Sequence, residues 1–169
     1  GSNFLNMSVR RFPSRQFVNI DSLSYAANPM SIEVRECSNY AFEKVDIVDA
    51  EAVNSLFERQ QPDMVIHFAA ESHVDRSILG PRQFVRTNIE GTFNLLEACR
   101  HSPEISAIVV ASSDKAYGEA SMLPYSETTP LNPIWPYDVS KACTDLIARS
   151  YAHTWDLPVA VTRCGNFFG

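Results

Sequence analysis

Ala107-Ile108-Val109-Val110-Ala111-Ser112-Ser113-Asp114-Lys115, followed further along by Pro136-Tyr137-Asp138-Val139-Ser140-Lys141, is the stretch from which the fold can be read. A short apolar, β-branched run closes on the polar cluster Ser113, Asp114 and Lys115, as a buried strand does where it reaches a solvent-facing edge. Gly118 to Trp135 is rich in proline and polar residues and reads as a long loop of the kind that covers a site. Pro136, with its fixed φ, suits the first turn of a helix that carries Tyr137, Lys141, Leu146, Ile147 and Tyr151. On that helix Tyr137 and Lys141 are four residues apart and share a face, so the lysine ammonium can approach the phenol and favour its ionised form. An unperturbed phenol titrates at about 10, and a neighbouring cation is what would make a base of it near neutral pH.

The same alternation continues outward along the chain. Strands are expected at Gln16 to Asp21, Tyr40 to Lys44, Met64 to Phe68, Ala107 to Ser112 and Val159 to Arg163. Between them, Val53, Leu56 and Phe57 mark a short helix, and Val85, Ile89, Thr92, Leu96 and Cys99 trace one stripe of a longer one. Strands alternating with helices predict an α/β fold, a Rossmann-like doubly wound parallel sheet covered on both faces.

Composition narrows the function classes. With 169 residues, 45% of them hydrophobic, the chain can bury the core of one domain. A net charge of −6 gives no electrostatic footprint for nucleic acid, and no basic run suits an anionic membrane surface. Neither a bilayer-spanning apolar run nor a secretory leader is evident, so a cytoplasmic setting is the expectation. Cys37, Cys99, Cys143 and Cys164 are widely spaced, and three of them fall in regular apolar segments, which predicts buried free thiols. His67, His73, His101 and His153 lack metal-ligand spacing, so no metal site is expected.

Leu5, Val9 and Phe12 give helical spacing directly after Gly1, with no strand and glycine-rich turn before them. After Val159 to Arg163 the sequence runs to Gly169 without a further helix. Both observations suggest a fold truncated at each end: residues 1–169 as part of a dinucleotide-binding domain, without its first strand and without a substrate domain.

Four motifs carry a family resemblance. They are His67-Phe68-Ala69-Ala70-Glu71-Ser72-His73-Val74-Asp75-Arg76-Ser77, Thr87-Asn88-Ile89-Glu90-Gly91-Thr92, Ser112-Ser113-Asp114-Lys115-Ala116-Tyr117-Gly118 and the Tyr137 to Lys141 segment. Together they resemble the nucleotide-sugar epimerases and dehydratases of the extended short-chain dehydrogenase/reductase superfamily, most closely the dTDP-glucose 4,6-dehydratases. The resemblance spans essentially the whole chain. It implies NAD as cofactor, a nucleotide-sugar substrate, and a homodimer when the chain is full length.

The resemblance also implies roles. Gly1 would be the last glycine of the G-x-x-G-x-x-G turn at the pyrophosphate, and Asp21 would hold the adenosine ribose hydroxyls. A carboxylate there repels a 2′-phosphate, which favours NAD over NADP. Asp46 and Ile47 would flank the adenine, while Phe68, Ala69, Ala70, Glu71, Ser72 and Thr87 would lie along the cofactor. Tyr137 would be the redox base and Lys141 would both depress its pKa and bind the nicotinamide ribose. Ser113 would hydrogen-bond the sugar hydroxyl being oxidised, with Ser72 and Asn166 also contacting substrate.

Oxidation at C4 of a hexose acidifies the C5 proton; a base then removes it while an acid helps the C6 hydroxyl leave. Asp114 fits the acid. The dTDP-glucose enzymes carry a glutamate next to it, where this chain has Lys115, which resembles the CDP-glucose 4,6-dehydratases. An ammonium serves as a base only when desolvation or nearby cations favour its neutral form, and Asp114 acts in the opposite direction. Arg163 and Phe167 also depart from family asparagines, at positions expected to touch substrate or nicotinamide. A 4-epimerase, needing only Ser113, Tyr137 and Lys141, and a non-catalytic nucleotide-binding module are the alternatives. Only a dehydratase yields a 4-keto-6-deoxy sugar.

Overall fold

In the computed structural model residues 1–119 and 123–165 are described, and they divide into a unit formed by Gly1–Asp46 and a second unit from Ile47 onward. The first unit contains α1 (Ser2–Arg11), β1 (Phe17–Ile20) and β2 (Tyr40–Glu43), with a 3-10 turn at Pro29–Ser31. β1 and β2 pair in parallel, with Phe17 opposite Tyr40. Two buried asparagines knit this unit together. The Asn6 amide donates to the Ser31 carbonyl (2.9 Å) and accepts from the Glu33 N–H (2.9 Å), and the Asn39 amide donates to the Val9 carbonyl (3.0 Å). Val9 is buried as the helical spacing predicts, but Phe12, just past the end of α1, is exposed.

The second unit runs α2 (Ala50–Gln60), β3 (Met64–His67), α3 (Val74–Leu79), α4 (Pro81–Phe84), a π-helical segment (Val85–Gly91), α5 (Thr92–Arg100), β4 (Ala107–Ser113), a 3-10 turn (Asp114–Tyr117), α6 (Pro136–Trp155) and β5 (Val159–Cys164). Its three strands are parallel in the order β3-β4-β5, with β4 in the middle. All five expected strands are therefore present within a residue or two of their predicted ends. Their ladders form two parallel sheets, of two strands and three.

β4 buries Ile108 and Val110 completely, against a core that includes Leu96, Cys99, Val53 and Ala148. Helix α2 starts as its sequence dictates, with the Asp49 carboxylate accepting from the Ala52 N–H at 3.0 Å, and buries Val53, Leu56 and Phe57. Of the four free cysteines only Cys99 is fully buried; Cys37, Cys143 and Cys164 are half-buried, contrary to the expectation of buried thiols in the apolar segments. No helix among the described residues is long and apolar enough to cross a membrane, and no group of potential metal ligands occurs among them.

Two helices differ from their expected faces. The stripe drawn through Val85 to Cys99 assumed one α-helical period, but the π-helical turn interposes extra arc per turn, so Thr92, Leu96 and Cys99 are buried while Val85 is exposed. In α6 the buried face is polar, carrying Asp138, Ser140, Lys141, Thr144 and Asp145, and Leu146 is left exposed. Apolar periodicity misplaces this face because the polar groups on it are hydrogen-bonded inside.

Asn88, 1% exposed in the π-helical segment, explains part of that face. Its side-chain oxygen accepts from the Glu71 N–H (2.7 Å), and its amide donates to the Glu71 carbonyl (2.9 Å) and to Ser140 Oγ (2.8 Å). The backbone carbonyl of Asn88 accepts from Thr92 Oγ1 (2.7 Å) and Thr144 Oγ1 (2.8 Å). One residue thus fixes the chain leaving β3, the π-helical turn and α6 in register. Asn88→Ala would leave both backbone groups of Glu71 without partners, and a loss of about 3 kcal/mol in unfolding free energy is expected from chemical denaturation.

Candidate functional site

The site assembles at the carboxyl end of β4, the customary position for ligands in open α/β sheets. Ser112 Oγ donates to the Lys141 carbonyl at 2.9 Å, and Lys141 Nζ donates back to the Ala111 carbonyl at 2.6 Å. These two bonds clamp the tip of β4 to the first turns of α6. Ser113 then caps the 3-10 turn, its Oγ accepting from the Lys115 N–H (3.2 Å) and donating to Asp114 Oδ1 (3.0 Å). Asp114 and Lys115 are thereby held beside the start of α6, where Tyr137 lies half-buried with its ring edge-on to Phe84. The Tyr137 N–H is accepted by Ser77 Oγ at 3.0 Å, so the last residue of the His67 to Ser77 motif anchors the start of α6.

The electrostatics differ from the sequence expectation in one respect. Tyr137 sits above the ordinary phenol range because burial disfavours the phenolate; the Ser113 hydroxyl opposes that rise, and the Asp114 and Asp138 carboxylates add to it. Lys141, 6% exposed, directs its ammonium to the Ala111 carbonyl, and burial pulls it down to about 8. The expected depression of the phenol by Lys141 is absent from this arrangement. Burial likewise brings His67 down to about 4, with the Lys141 charge contributing, and its Nε2 meets Thr92 Oγ1 at 3.0 Å. His67 is a neutral core residue.

The remaining sequence-predicted residues fall as follows. Phe68, Ala69 and Ser72 are exposed and Ala70 and Thr87 half-buried, an open shelf where the chain leaves β3. Glu71 is buried, with its backbone taken by Asn88, and Gln83 Nε2 donates to Thr87 Oγ1 at 3.1 Å. The side chain of Ile47 is 4% exposed and packs where a Cβ on Gly91 would meet it at 2.6 Å; its carbonyl accepts from the Asn94 amide. In the first unit Asp21 is exposed just past β1 with Oδ1 accepting from the Leu23 N–H (2.7 Å), Asp46 is exposed, and Gly1 caps α1. Asn166 and Phe167 lie outside the described residues.

Arg163 was expected at the substrate or the nicotinamide. The structure instead engages it internally: Nε and Nη2 grip the fully buried Asp145 at 2.6 and 3.0 Å, and Nη1 donates to Tyr117 Oη (3.1 Å) and the Glu127 carbonyl (3.0 Å). Tyr117 stacks on Tyr125, whose hydroxyl donates to the Gly118 carbonyl (2.9 Å). Gly118 has φ +68°, and a Cβ on it would lie 1.9 Å from the Asn132 carbonyl oxygen, so the segment folds back over itself only with glycine there. Sequence reasoning missed Asn88, Ser77 and the Asp145–Arg163 pair, all polar residues inside helical or motif stretches with no apolar signal to mark them.

A family model described as GDP-mannose 4,6 dehydratase matches residues 1–169. Among curated proteins, dTDP-glucose 4,6-dehydratase of Haemophilus influenzae is 40% identical over all of this chain and 54% of its own length. That of Neisseria meningitidis serogroup B is 41% identical over all of this chain and 52% of its own. The chain thus spans about half the length of the curated relatives it matches. Among solved structures, DesIV, a dTDP-glucose 4,6-dehydratase from Streptomyces venezuelae crystallised with NAD, superposes with TM-score 0.92 at 37% identity, over 100% of this chain and 53% of that one. UDP-glucose 4-epimerase from Thermotoga maritima, with UDP-glucose, superposes with TM-score 0.90 at 26% identity over the same shares. The fold is therefore that Rossmann-like arrangement of parallel strands and flanking helices.

Lys141 has a measurable signature. Below about pH 8 both folded and unfolded chains carry its ammonium, whereas between about 8 and 10.5 only the unfolded chain does. Stability therefore grows with pH across that window. Relative to Lys141→Met, the wild type is expected to gain up to about 3 kcal/mol between pH 8 and 10.5, measured by denaturant unfolding at a series of pH values.

Proposed function

Because the chain belongs to the GDP-mannose 4,6-dehydratase family, we propose that the protein carrying it is an NAD-dependent nucleotide-sugar 4,6-dehydratase, converting dTDP-glucose to dTDP-4-keto-6-deoxyglucose. The single observation that carries this reading is the Ser113-Asp114-Lys115 cluster held at the end of β4 beside Tyr137. An epimerase needs a hydroxyl-directed base alone; a dehydratase needs further proton-transfer groups beside it, and Asp114 and Lys115 are such groups. In this reading residues 1–169 belong to the dinucleotide-binding domain, which a first strand precedes and a sugar-binding domain follows, and the relatives' greater length supports that division.

The residues present fit the cofactor. Phe68, Ala69 and Ser72 are exposed where the chain leaves β3, Tyr137 and Lys141 lie on one helix, and in the first unit the exposed Asp21 follows β1. Asp21 would hold the ribose hydroxyls, Asp46 and Ile47 the adenine edge, the Phe68 to Ser72 shelf and Thr87 the length of the dinucleotide, and Lys141 the nicotinamide ribose. NAD, when bound, supplies the hydride acceptor that a C4 oxidation requires.

Tyr137 would take the C4 hydroxyl proton. Its phenol stands above its ordinary range by burial, so a cation must join it in the working site. The Lys141 ammonium, which donates to the Ala111 carbonyl and is already softened by burial, is near enough along the helix to serve. Ser113 has one hydroxyl hydrogen and both Asp114 and Tyr137 claim it, so it links oxidation to the groups that serve the elimination.

Two outcomes are expected of the full-length protein. With Asp21 at the ribose, NAD should bind at least about tenfold more tightly than NADP by calorimetry, and equal affinities would remove that contact. In single-turnover mixing with dTDP-glucose, Tyr137→Phe should suppress both C4 oxidation and water loss. Lys115→Met should allow oxidation yet slow water loss by about 100-fold, so that reduced-nicotinamide absorbance and a 4-keto hexose accumulate, read by absorbance and by mass. An epimerised sugar with no loss of water in the wild type would favour the epimerase instead.

A further inference from the structure

Helix α6 buries a second carboxylate beside Tyr137 that the proposed reaction does not use. Asp138 is 4% exposed, and among the described residues its Oδ1 is a buried side-chain oxygen with no hydrogen-bond partner. Its place in the third position of α6 accounts for part of the group: an acidic residue there turns back toward the N-cap, and the Trp135 N–H draws on the carboxylate in that way. Capping requires one oxygen, and it leaves the other unexplained. A buried carboxylate oxygen without a partner is costly.

The charges around Asp138 say where that oxygen can act. Burial raises its carboxyl above the ordinary range, and Lys115 is the cation that opposes the rise, while Asp114 and Glu119 add to it. Tyr137, one residue back on the same helix, feels the Asp138 charge in turn. Helix α6 packs against the 3-10 turn Asp114–Tyr117, and on that turn Lys115 is exposed at the end of a flexible stem. Asp114, by contrast, accepts the Ser113 hydroxyl hydrogen at 3.0 Å.

We infer that Asp138 is a positioning residue that holds Lys115 in the elimination site as a cation, which makes Lys115 the proton donor to the departing C6 oxygen and leaves Asp114 as the base at C5. The inference rests on the dehydratase reading and deepens it. The step balances as follows in the 4-keto sugar. The Asp114 carboxylate takes the C5 proton, the C5–H electron pair becomes the C5–C6 double bond, and the C6–O bond breaks with its pair on oxygen. The Lys115 ammonium gives that oxygen a proton, and water leaves. An ammonium between two carboxylates is a poor base, because they hold it in the protonated form that a donor starts from. The assignment reverses the order of roles expected from the glutamate-bearing relatives, where the aspartate is the acid.

The test uses the full-length protein with bound NAD and two substrates, dTDP-glucose and its analogue carrying fluorine in place of the C6 hydroxyl. Fluoride leaves without needing a proton, so the analogue bypasses a missing acid and leaves a missing base exposed. With dTDP-glucose, Asp138→Asn should oxidise C4 within about threefold of wild type and eliminate water about tenfold or more slowly, and Asp138→Glu should recover part of that loss. The double variant with Lys115→Met should be no slower than Lys115→Met alone. With the fluoro analogue, Asp138→Asn and Lys115→Met should both release fluoride at close to the wild-type rate, while Asp114→Asn should remain slow. Fluoride release as slow as water loss in the Lys115 and Asp138 variants would overturn the donor assignment. Elimination by Asp138→Asn at the wild-type rate would overturn the positioning role, as would an equal loss of oxidation and elimination together with a lowered melting temperature. A wild-type protein that oxidises C4 but never loses water refutes the dehydratase reading itself, and the inference falls with it.

Discussion

The two-way hydrogen bond between the Asn88 side chain and the backbone of Glu71 is the constraint on which the arrangement of the second unit turns. A strand leaving a parallel sheet has spent its ladder partners, and its first residues need other acceptors and donors or must face water. Asn88 supplies both at once for Glu71, with the geometry of a strand neighbour, from inside a helix. It can do so because the helix is locally π-helical, which opens the Asn88 carbonyl to the hydroxyls of Thr92 and Thr144. The wider turn is thus put to use, consistent with the tendency of such segments to occur at functional sites.

From that point the polar interior propagates in one direction, toward the site. Asn88 reaches Ser140, Ser140 Oγ donates to the Tyr137 carbonyl at 2.7 Å, and Ser77 accepts the Tyr137 N–H. The first turn of α6 is therefore fixed by side chains on both of its backbone faces before any ligand contact is considered. Such preorganisation has a cost visible in the same helix. Lys141 and Asp138 are both buried, both are pulled away from their ordinary ranges by desolvation, and among the described residues neither has an ion-pair partner at hydrogen-bonding distance. Apolar residues of similar volume would stabilise the fold better. Their retention next to a tyrosine and a serine–aspartate pair is what a site poised for proton transfer requires.

Much of the fold was legible because strands in a doubly wound sheet are read from short apolar runs. β1 to β5 begin and end close to where their β-branched segments do, and Asp49 and Pro136 mark helix starts by side-chain chemistry alone. What failed has a common physical cause. The stripe through Val85 supposed a constant 3.6-residue period that the π-helical turn breaks, and the face of α6 was sought among its apolar residues although Thr144, Asp145 and Lys141 are the ones inside. Periodicity detects burial only where burial is apolar. The site residues at the tip of β4 and on the first turn of α6 were legible from motif spacing, and the structure brings Ser113, Asp114 and Tyr137 into mutual influence. The direction of the tyrosine's shift was not, since it depends on how deeply the ring is buried and on where Lys141 points.

Arg163 shows how a charged residue in the last strand can serve the scaffold. An asparagine in the last strand could not reach Asp145, Tyr117 and the Glu127 carbonyl together; a guanidinium does, with a fork on a carboxylate that is itself fully buried. Asp145 is gripped closely by Arg163 and has the more exposed Arg149 3.6 Å away, so losing Arg163 would leave this fully buried carboxylate with only the longer, solvent-facing pair. The consequence reaches the site from behind. Tyr117, at the end of the 3-10 turn that bears Asp114 and Lys115, is held by the Arg163 guanidinium both through its hydroxyl and over its ring, and it stacks on Tyr125. One end of the short turn that carries Asp114 and Lys115 is thus anchored through Tyr117 and the other through Ser113, whose hydroxyl also donates to Asp114. Arg163 in β5 thus acts as a buttress for the turn that carries Asp114 and Lys115.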